Sequence, residues 1–416
     1  MLYKIAVVVH GRFHAFDLAR ELLYRGHDVT LFTNYSGRTA EQFGIPRHRV
    51  HSFLTHGLTT RTLFRTSPAR VHGLVERLAN PAFGRWAARK VLRENWDVVV
   101  AFTGVAEETF LGLGNSRTLK VLQRGSSHIR MQRQILEEEE RRLERWVEKP
   151  SDWIIAREER EYALADIIHL LSTFAMRSFQ DLHAEVDKLY HIWLGVQTSK
   201  FRPTPDVIEE RCRRILSGAP LRVLYVGNFS SQKGVKDFET AIQALGTERF
   251  SFRFVGPVAS DARPVARRLR RMATFTGKRP QFELPQEYRW GDIFVFPTLQ
   301  DGFAVVLTQA LASGLPLLAT TNCAGPDLIQ EGEQGWIVPI RSPDAIVERL
   351  RWCDLHREEL AQVVRNVYER SWSFDWKSTA EQAECNFITA SQWKQMACDS
   401  NHKAHQAEPA GSPKVT

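Results

Sequence analysis

Short apolar runs rich in β-branched residues alternate with longer segments of helical period along most of the chain. Continuous apolar runs, rather than alternating ones, are typical of parallel strands that are covered by helices on both faces of a sheet. The alternation therefore predicts an α/β fold built from two doubly wound units. The predicted strands lie at 4–9, 28–33, 97–102, 119–122 and 167–171 in the first unit, and at 222–226, 251–255, 292–296, 315–319 and 336–338 in the second.

A polar, proline-containing segment separates the two units. We interpret 198–220 as a linker with one short helix, which makes 1–197 and 221–375 the two domains. Aromatic and apolar positions at 376–393 predict a terminal helix. The composition then becomes polar and loses its period, so 399–416 is predicted to be a disordered tail.

Composition narrows the class of protein. Of the 416 residues 43% are hydrophobic, which is enough to fill the cores of two domains. The five cysteines are widely spaced without a C-x-x-C pair, which excludes a zinc ribbon and a disulfide framework and indicates a reducing compartment, so we expect a cytoplasmic protein. No signal peptide is visible at the start. The longest apolar stretch, 164–176, is too short to span a bilayer, which needs about 20 residues.

Positive charge is concentrated in one segment. Residues 45–93 hold ten basic side chains and one acidic one, Glu76, whereas the rest of the chain is close to neutral. One interpretation is a pair of core-facing helices with solvated arginines; the other is a patch for an anionic membrane surface or acidic acceptor, with Phe83 and Trp86 entering the interface. No nucleic-acid-binding motif accompanies the charge, so we expect no nucleic acid partner. The basic residues are Arg47, Arg49, Arg61, Arg65, Arg70, Arg77, Arg85, Arg89, Lys90 and Arg93.

The segment 294–316 is the most specific in the chain. A buried strand ends at Pro297, and a helix over about 304–312 follows and stops at Gly314. The start of this helix should lie at the carboxyl edge of the sheet, where unpaired amides and the helix dipole favour a phosphate or sugar hydroxyls. The amides concerned are those of Gly302, Phe303, Ala304 and Val305.

Two polar side chains accompany this helix start. Asp301 can accept hydrogen bonds from sugar hydroxyls, and Gln309 lies about two turns further on. A dinucleotide cofactor would instead need G-x-G-x-x-G after the first strand of a unit. Neither 10–19 nor 227–234 contains that motif, so a nicotinamide or flavin enzyme is not expected.

With these motifs the chain resembles the retaining glycosyltransferases of family 4, which have the GT-B fold. The family signature, Glu, seven residues and Glu within E-G-F-G…E-A-x-A-x-G-x-P, is matched by 301–316, and the phosphate-binding strand and loop by 226–234. The segments 291–294, 332–336 and 195–203 fit the family as well. The resemblance implies two Rossmann-like domains facing each other across a cleft, with the terminal helix packed back on the first domain.

The resemblance also implies roles, and the chain departs from the family at several of them. In the family the first signature Glu contacts the donor sugar, and Asp301 stands at its position here. The second signature Glu holds the ribose, and Gln309 stands at its position. In the family an Arg and a Lys bracket the donor diphosphate. Here Asn228, which follows Gly227, stands in place of the Arg, and Lys233 is the Lys. The implied reaction moves a sugar from a nucleoside diphosphate sugar to a hydroxyl of a glycan or lipid-linked acceptor, without a metal or another cofactor.

The loop 124–128 should face the cleft from the first domain, and His128 is our candidate for a catalytic contact with the donor sugar. Gly11, Arg12 and His14 are placed on the acceptor side. Because Asn228 and Gln309 are uncharged, a non-catalytic sugar- or nucleotide-binding homologue remains an alternative, as does a sugar-nucleotide epimerase. Two acidic groups are expected to be solvated helix surface without a chemical role, 137–148 and the set Glu158, Glu159 and Glu161.

Overall fold

The structure is a computed structural model that describes residues 2–370 and 374–406. Within these ranges two separate sheets are formed, and every strand pairing in them is parallel. The first sheet contains β1 (Lys4–Val9), β2 (Asp28–Thr33), β3 (Val50–Ser52), β4 (Val98–Phe102), β5 (Leu119–Gln123), β6 (Ile167–Leu170) and β7 (Leu189–His191). The second contains β8 (Leu221–Val226), β9 (Phe250–Val255), β10 (Ala273–Gly277), β11 (Ile293–Phe296), β12 (Leu317–Thr320) and β13 (Gly335–Val338).

The strand orders are β3-β2-β1-β4-β5-β6-β7 and β10-β9-β8-β11-β12-β13. Both start in the middle of the sheet and wind outward in two directions, which is the doubly wound Rossmann order. The predicted fold class is therefore confirmed. The strands β3, β7 and β10 were not predicted, and each lies at an edge of its sheet.

Helices cover both faces of each sheet. In the first domain they are α1 (Ala15–Tyr24), α2 (Gly37–Glu41), α3 (Leu54–Thr66), α4 (His72–Val91), α5 (Glu107–Leu113), α6 (Ile129–Leu143), α7 (Asp152–Leu164) and α8 (Thr173–Gln180). The connection holds α9 (Thr198–Phe201) and α10 (Pro205–Leu216). The second domain has α11 (Val235–Leu245), α12 (Arg263–Leu269), α13 (Leu284–Trp290), α14 (Val305–Ala312), α15 (Gly325–Leu328), α16 (Pro343–Leu355) and α17 (Arg357–Glu369), and α18 (Trp376–Gln406) ends the described chain.

The terminal helix α18 packs against the first domain. Phe387 is fully buried and meets the ring of Tyr3 edge-on, and Lys394 Nζ donates a 2.6 Å hydrogen bond to Asp166. The helix continues to Gln406, so the predicted disordered tail is wrong for 399–406. The remainder of that predicted tail, 407–416, lies outside the described residues.

A bidentate ion pair holds α18 on the end of α1, because Arg25 directly follows that helix. Arg25 donates hydrogen bonds of 2.7 and 2.6 Å to the carboxylate of Glu384, which lower the pKa of Glu384. A carboxylate with a lowered folded-state pKa stabilises the fold above its ordinary pKa of about 4.3, and this contribution is lost as the pH falls through the folded value.

We therefore expect Glu384→Gln to lower the free energy of unfolding by about 1–2 kcal/mol at pH 7, because the charged hydrogen bonds to Arg25 are lost. The effect is no larger because both side chains are partly exposed and solvent screens the pair. The difference between the variant and the parent should shrink in acid. Urea denaturation at pH 7 and pH 3 measures both effects, and a difference that grows in acid would contradict the assignment.

The acidic helix α6 contributes to the contact between the domains. Glu139 is fully buried and pairs with Arg142, which also donates to Asp237 of the second domain at 2.6 Å. From the same domain, Arg341 donates to Glu138 at 2.9 Å. The expectation of a purely solvated helix at 137–148 is therefore wrong, because opposite charges from the other domain cover part of it.

Two of the other acids predicted at the helix surface are buried as well. Glu161 is fully buried, and its carboxylate accepts backbone hydrogen bonds from Gly104 at 2.6 Å and Ala106 at 2.9 Å. Glu158 is 5% exposed and pairs with Arg124. These acids hold the loop after β4 and the loop after β5.

The basic segment folds mainly as α3 and α4. Phe83 on α4 is fully buried, and Trp86 packs against Phe83 and Phe53 with ring centroids 5.3 Å apart in both pairs. The expectation that Phe83 and Trp86 enter a membrane interface is therefore wrong, because Phe83 belongs to the core of the first domain and the half-buried Trp86 packs against it. In the part of the chain that the structure describes, no helix has the length and apolarity needed to cross a membrane.

Candidate active site

The carboxyl edges of the two sheets face each other across a cavity of about 950 Å³. Ligands of doubly wound folds bind at this edge, where the loops after the central strands diverge. The walls include the loops that follow β1, β4 and β5 in the first domain and those that follow β8 and β10 in the second, together with part of α4 and the start of α14. The predicted cleft between two Rossmann-like units is therefore present.

The start of α14 opens onto this cavity. The backbone amides of Ala304 and Val305 make no hydrogen bond within the described residues, and both residues line the cavity. Phe303 differs from the prediction, because its amide donates to Asp301 Oδ1 at 3.0 Å. Ala304 has φ +66°, a left-handed backbone that costs a non-glycine residue about 1 kcal/mol and turns the chain into the helix.

Lys233 and Asp301 form an ion pair in the cavity wall. Gly234, at φ +65°, makes this approach possible: a Cβ at that position would lie 1.8 Å from the carbonyl oxygen of Pro297. Only glycine lets the loop after β8 lie this close to the end of β11. Lys233 also lies 5.5 Å from the ring of Phe296, so it is held in place beside the α14 amides.

Gly302 faces the opposite domain. A Cβ on Gly302 would meet Gly125 O at 2.3 Å and Ser126 Cα at 2.7 Å, so the two backbones are in direct contact there. Next to this contact, Ser126 Oγ donates to Gln300 Oε1 at 2.8 Å. Gly302 therefore joins the two domains at the base of the cleft and is absent from the cavity wall.

The remaining residues predicted to bind the donor also line the cavity, but hydrogen bonds within the protein already engage some of their polar atoms. Gly227 and Asn228 form the loop after β8, and Asn228 O accepts from Tyr225 Oη at 2.9 Å. Gln309 Oε1 accepts from the buried Tyr288 Oη at 2.8 Å. Because that amide oxygen is engaged, the Nε2 group of Gln309 is the part left for a ligand.

His128 does not line the cavity. Its Nδ1 accepts from the amide of Arg130 and caps α6, and its ring packs between Tyr162 and Phe179. Burial lowers the pKa of His128 to about 4, so it is neutral near pH 7. The structure thus corrects the expected contact with the donor sugar: the segment 124–126 of this loop reaches the cleft, and His128 is a structural cap.

On the acceptor side, Arg12 and His14 line the cavity and Gly11 does not. Gly11 lies at φ +139° beneath Phe13, where its carbonyl accepts from Thr33 Oγ1. Arg12 Nη1 reaches across the cleft to Gln281 Oε1 at 3.3 Å.

Two cations in the wall were not predicted, Lys278 and Arg279. They directly follow β10, the edge strand that the sequence pattern did not indicate, so nothing placed them at the cleft. Both line the cavity, and Arg279 is also within 4 Å of the carboxylates of Glu283 and Glu287. No group of three or more His, Cys, Asp or Glu side chains placed to hold a metal occurs within the described residues.

Comparison with known proteins agrees with this geometry. Residues 220–353 match the family model of the group 1 glycosyl transferases. A sulfoquinovosyl transferase of Arabidopsis thaliana is 28% identical over 205 residues, 48% of this chain and 39% of that protein. A D-inositol 3-phosphate glycosyltransferase of Corynebacterium glutamicum is 29% identical, and the match covers 53% of this chain and 57% of that protein. A GDP-mannose-dependent α-mannosyltransferase of Mycobacterium tuberculosis is 33% identical, and the match covers 51% of this chain and 54% of that protein. The matches thus span about half the length of these relatives.

Solved structures extend the similarity to nearly the whole chain. The Anabaena protein HepE in complex with UDP and glucose superposes with a TM-score of 0.68 at 15% identity, covering 93% of this chain and all of that one. Sucrose-phosphate synthase of Thermosynechococcus elongatus gives 0.70 at 17% identity, covering 92% and 98%. At these identities the likeness establishes the fold, which is that of GT-B enzymes.

Proposed function

We propose, from the premise that this chain carries a group 1 glycosyltransferase domain within a GT-B fold, that it is a retaining glycosyltransferase. It would move a sugar from a nucleoside diphosphate sugar to a hydroxyl of a glycan or lipid-linked acceptor. The observation that carries the proposal is the anion cradle, by which we mean the Ala304 and Val305 amides together with Lys233. This cradle opens onto a cleft shared by both domains.

The proposed reaction needs stabilisation of charge more than a nucleophile. The bond between the anomeric carbon and the diphosphate oxygen breaks, the acceptor oxygen bonds to the same carbon on the same face, and the hydroxyl proton passes to the released diphosphate. Negative charge grows on the diphosphate during this step, where preorganised donors have their largest effect. Lys233 and the α14 amides would supply them, and Asp301 would accept from a donor-sugar hydroxyl while holding Lys233.

We further propose that no metal ion is required, because Lys233 and the α14 amides would stabilise the leaving group and two more cations, Lys278 and Arg279, line the same cavity. The test is a thermal-shift screen with UDP-, GDP- and ADP-sugars, followed by product analysis by mass spectrometry with EDTA present. A ligand at 100 times its Kd adds about 2.7 kcal/mol of stability, so the correct nucleotide should raise the Tm clearly.

We expect one nucleotide class to bind and its sugar to be transferred or slowly hydrolysed. Binding without turnover would indicate the non-catalytic homologue, and an isomerised sugar nucleotide would indicate the epimerase. Turnover that is lost in EDTA would contradict the metal-free mechanism.

We also propose that the protein works in the cytoplasm and docks on an anionic membrane surface through α4. Leu74 and Leu78 are 63% and 76% exposed. They share one helix face with the exposed Arg77 and Arg85. This pairing of apolar and cationic side chains is typical of helices that bind acidic lipid surfaces. On the same helix Glu76 lines the cleft, which would bring a lipid-linked acceptor to the site.

Flotation with vesicles of phosphatidylcholine, with and without phosphatidylglycerol, tests the docking. We expect binding to the anionic vesicles only, loss of binding in high salt, and loss in the double variant Leu74→Ser, Leu78→Ser. The matched control is Leu355→Ser, because Leu355 is 78% exposed on the second domain. Equal binding to neutral vesicles, or an equal loss with the control, would contradict the proposal.

A further inference from the structure

A chain of four polar side chains runs from the terminal helix to the cleft. On α18, Asn386 Nδ2 lies 3.1 Å from the carbonyl oxygen of His191 and 3.3 Å from His169 Nε2. The side-chain amide of Gln123 lies 2.8 Å from His169 Nδ1 and 3.4 Å from His14 Nε2. Gln123 and His169 are direct neighbours in the register of β5 and β6, which places them side by side. His14 and Gln123 both line the cavity, and His14 is the end of the series.

The protonation of His169 follows from its two neighbours. Burial lowers the pKa of His169 to about 3, so the ring is neutral and carries one N–H. Asn386 cannot be turned over, because its amide oxygen would then oppose the carbonyl oxygen of His191. Asn386 therefore donates to Nε2 of His169, and the ring hydrogen must be on Nδ1.

This hydrogen determines the orientation of the next amide. If the nitrogen of Gln123 faced His169, two donors would meet at one short contact. The amide oxygen of Gln123 must therefore face His169 and accept from its Nδ1–H, since the two amide orientations differ only in which atom is oxygen. The amide nitrogen of Gln123 then faces His14 and donates to its Nε2.

His14 is the last member of the series. Burial lowers the pKa of His14 to about 4, so this ring is also neutral. With Nε2 accepting from Gln123, its one hydrogen lies on Nδ1. That atom makes no hydrogen bond within the described residues, and His14 lines the cavity.

We propose that Asn386, His169 and Gln123 are positioning residues that set the tautomer of His14, so that His14 presents an Nδ1–H donor to an oxygen of the ligand in the cleft. The use of this donor for binding acceptor or donor oxygens rests on the proposed glycosyltransferase function, whereas the tautomer does not. A terminal helix more than 350 residues away in the chain thus determines the chemistry of a side chain in the cleft.

The tautomer is tested directly by long-range ¹H–¹⁵N correlation spectra of the full-length protein labelled with [¹⁵N]histidine, at pH 7. The signals of the two rings are assigned by their loss in His14→Gln and His169→Gln. We expect a protonated Nδ1 and a bare Nε2 in both rings. A protonated Nε2 in either ring of the parent protein would overturn the proposal.

Two variants test the direction of the series. In Gln123→Glu the carboxylate accepts from both rings, so His14 should switch to the Nε2–H tautomer while His169 keeps its own. In Asn386→Leu the anchor is lost and both rings should show mixed tautomers. The control is Gln382→Leu, which removes another α18 contact with the first domain, the hydrogen bond from the Trp193 amide, outside the series.

The kinetic readout separates positioning from a merely structural role. Loss of one neutral hydrogen bond corresponds to about 0.5–1.5 kcal/mol, so kcat/KM should fall about 2- to 12-fold in Gln123→Glu and Asn386→Leu. Gln382→Leu should retain parental kcat/KM and the parental tautomers. Switched tautomers with unchanged kcat/KM would overturn the role in the cleft, and an unchanged His14 tautomer in Gln123→Glu would overturn the series itself. If no sugar transfer is found at all, the spectra still decide the tautomer.

Discussion

Replacing Lys233 by alanine is expected to lower sugar transfer by roughly 100- to 1,000-fold, the usual effect of removing one preorganised donor from a site of developing negative charge. Lys233 faces the cavity beside the α14 amides and is paired with Asp301. Removing the ammonium would leave the proposed diphosphate without the cation of the cradle, and it leaves the Asp301 carboxylate without its ion-pair partner. Both consequences raise the barrier for departure of the leaving group.

Asp301→Ala should reduce transfer strongly as well, because Lys233 loses the partner that holds it in the cavity wall. Initial rates at saturating and limiting donor concentration measure both variants, with circular dichroism and Tm to show that the fold is intact. Lys236→Ala is the matched control, since Lys236 lies three residues further along and pairs with Glu239 on α11. Parental rates in both Lys233→Ala and Asp301→Ala would contradict the site.

The substitution Gly302→Ala is expected to lower transfer by about 100-fold or more without unfolding either domain. The new Cβ would lie 2.3 Å from Gly125 O, and that neighbour is backbone, which cannot rotate away as a side chain can. The two domains must therefore separate at the base of the cleft. A misplacement of about 1 Å between reacting groups costs about 100-fold in rate, and an opened cleft admits water to the activated sugar.

The readouts for Gly302→Ala are the transfer rate, the fraction of donor lost to hydrolysis, and the radius of gyration from small-angle X-ray scattering. We expect slower transfer, a larger hydrolysed fraction and a more open particle. Gly37→Ala serves as the control, because a Cβ at Gly37 would make only ordinary contacts, the nearest at 3.6 Å, on a helix remote from the cleft. Parental transfer in Gly302→Ala would show that the contact is not needed for the reaction.

Much of the fold follows from local pattern. The central strands β1 and β8 are apolar and buried nearly throughout, and their bounds agree with the sequence prediction within one residue. Strands that are enclosed on both faces must be apolar along their whole length, so they are visible in the sequence. The edge strands β3, β7 and β10 are short and half-exposed, and they therefore lack that signal.

The candidate site, like the fold, contains some residues that a local sequence motif predicts and others that no local pattern indicates. The predictions for Asp301, Gln309 and the α14 start depend on one contiguous motif and that for Lys233 on a second, and of the residues named in them only Gly302 does not line the cavity. Lys278 and Arg279 could not be predicted, since they follow an edge strand without an apolar run. His128 shows the opposite error: the loop was placed correctly, but which way a side chain turns at a helix cap depends on the aromatic rings packed around it.

The sequence by itself determined the two Rossmann-like units, their central strands and the helix start at α14, with amides that stay unpaired within the described chain. These properties depend on neighbours in the chain, through hydrophobic period, glycine conformation and helix ends. Only the tertiary structure decided that Gly302 touches Gly125, that Glu139 and Glu161 are buried, and that Asn386 is connected to His14. Those contacts join residues far apart in sequence, and their energies depend on which charges and hydrogen-bond partners the folded chain brings within about 3 Å of each other.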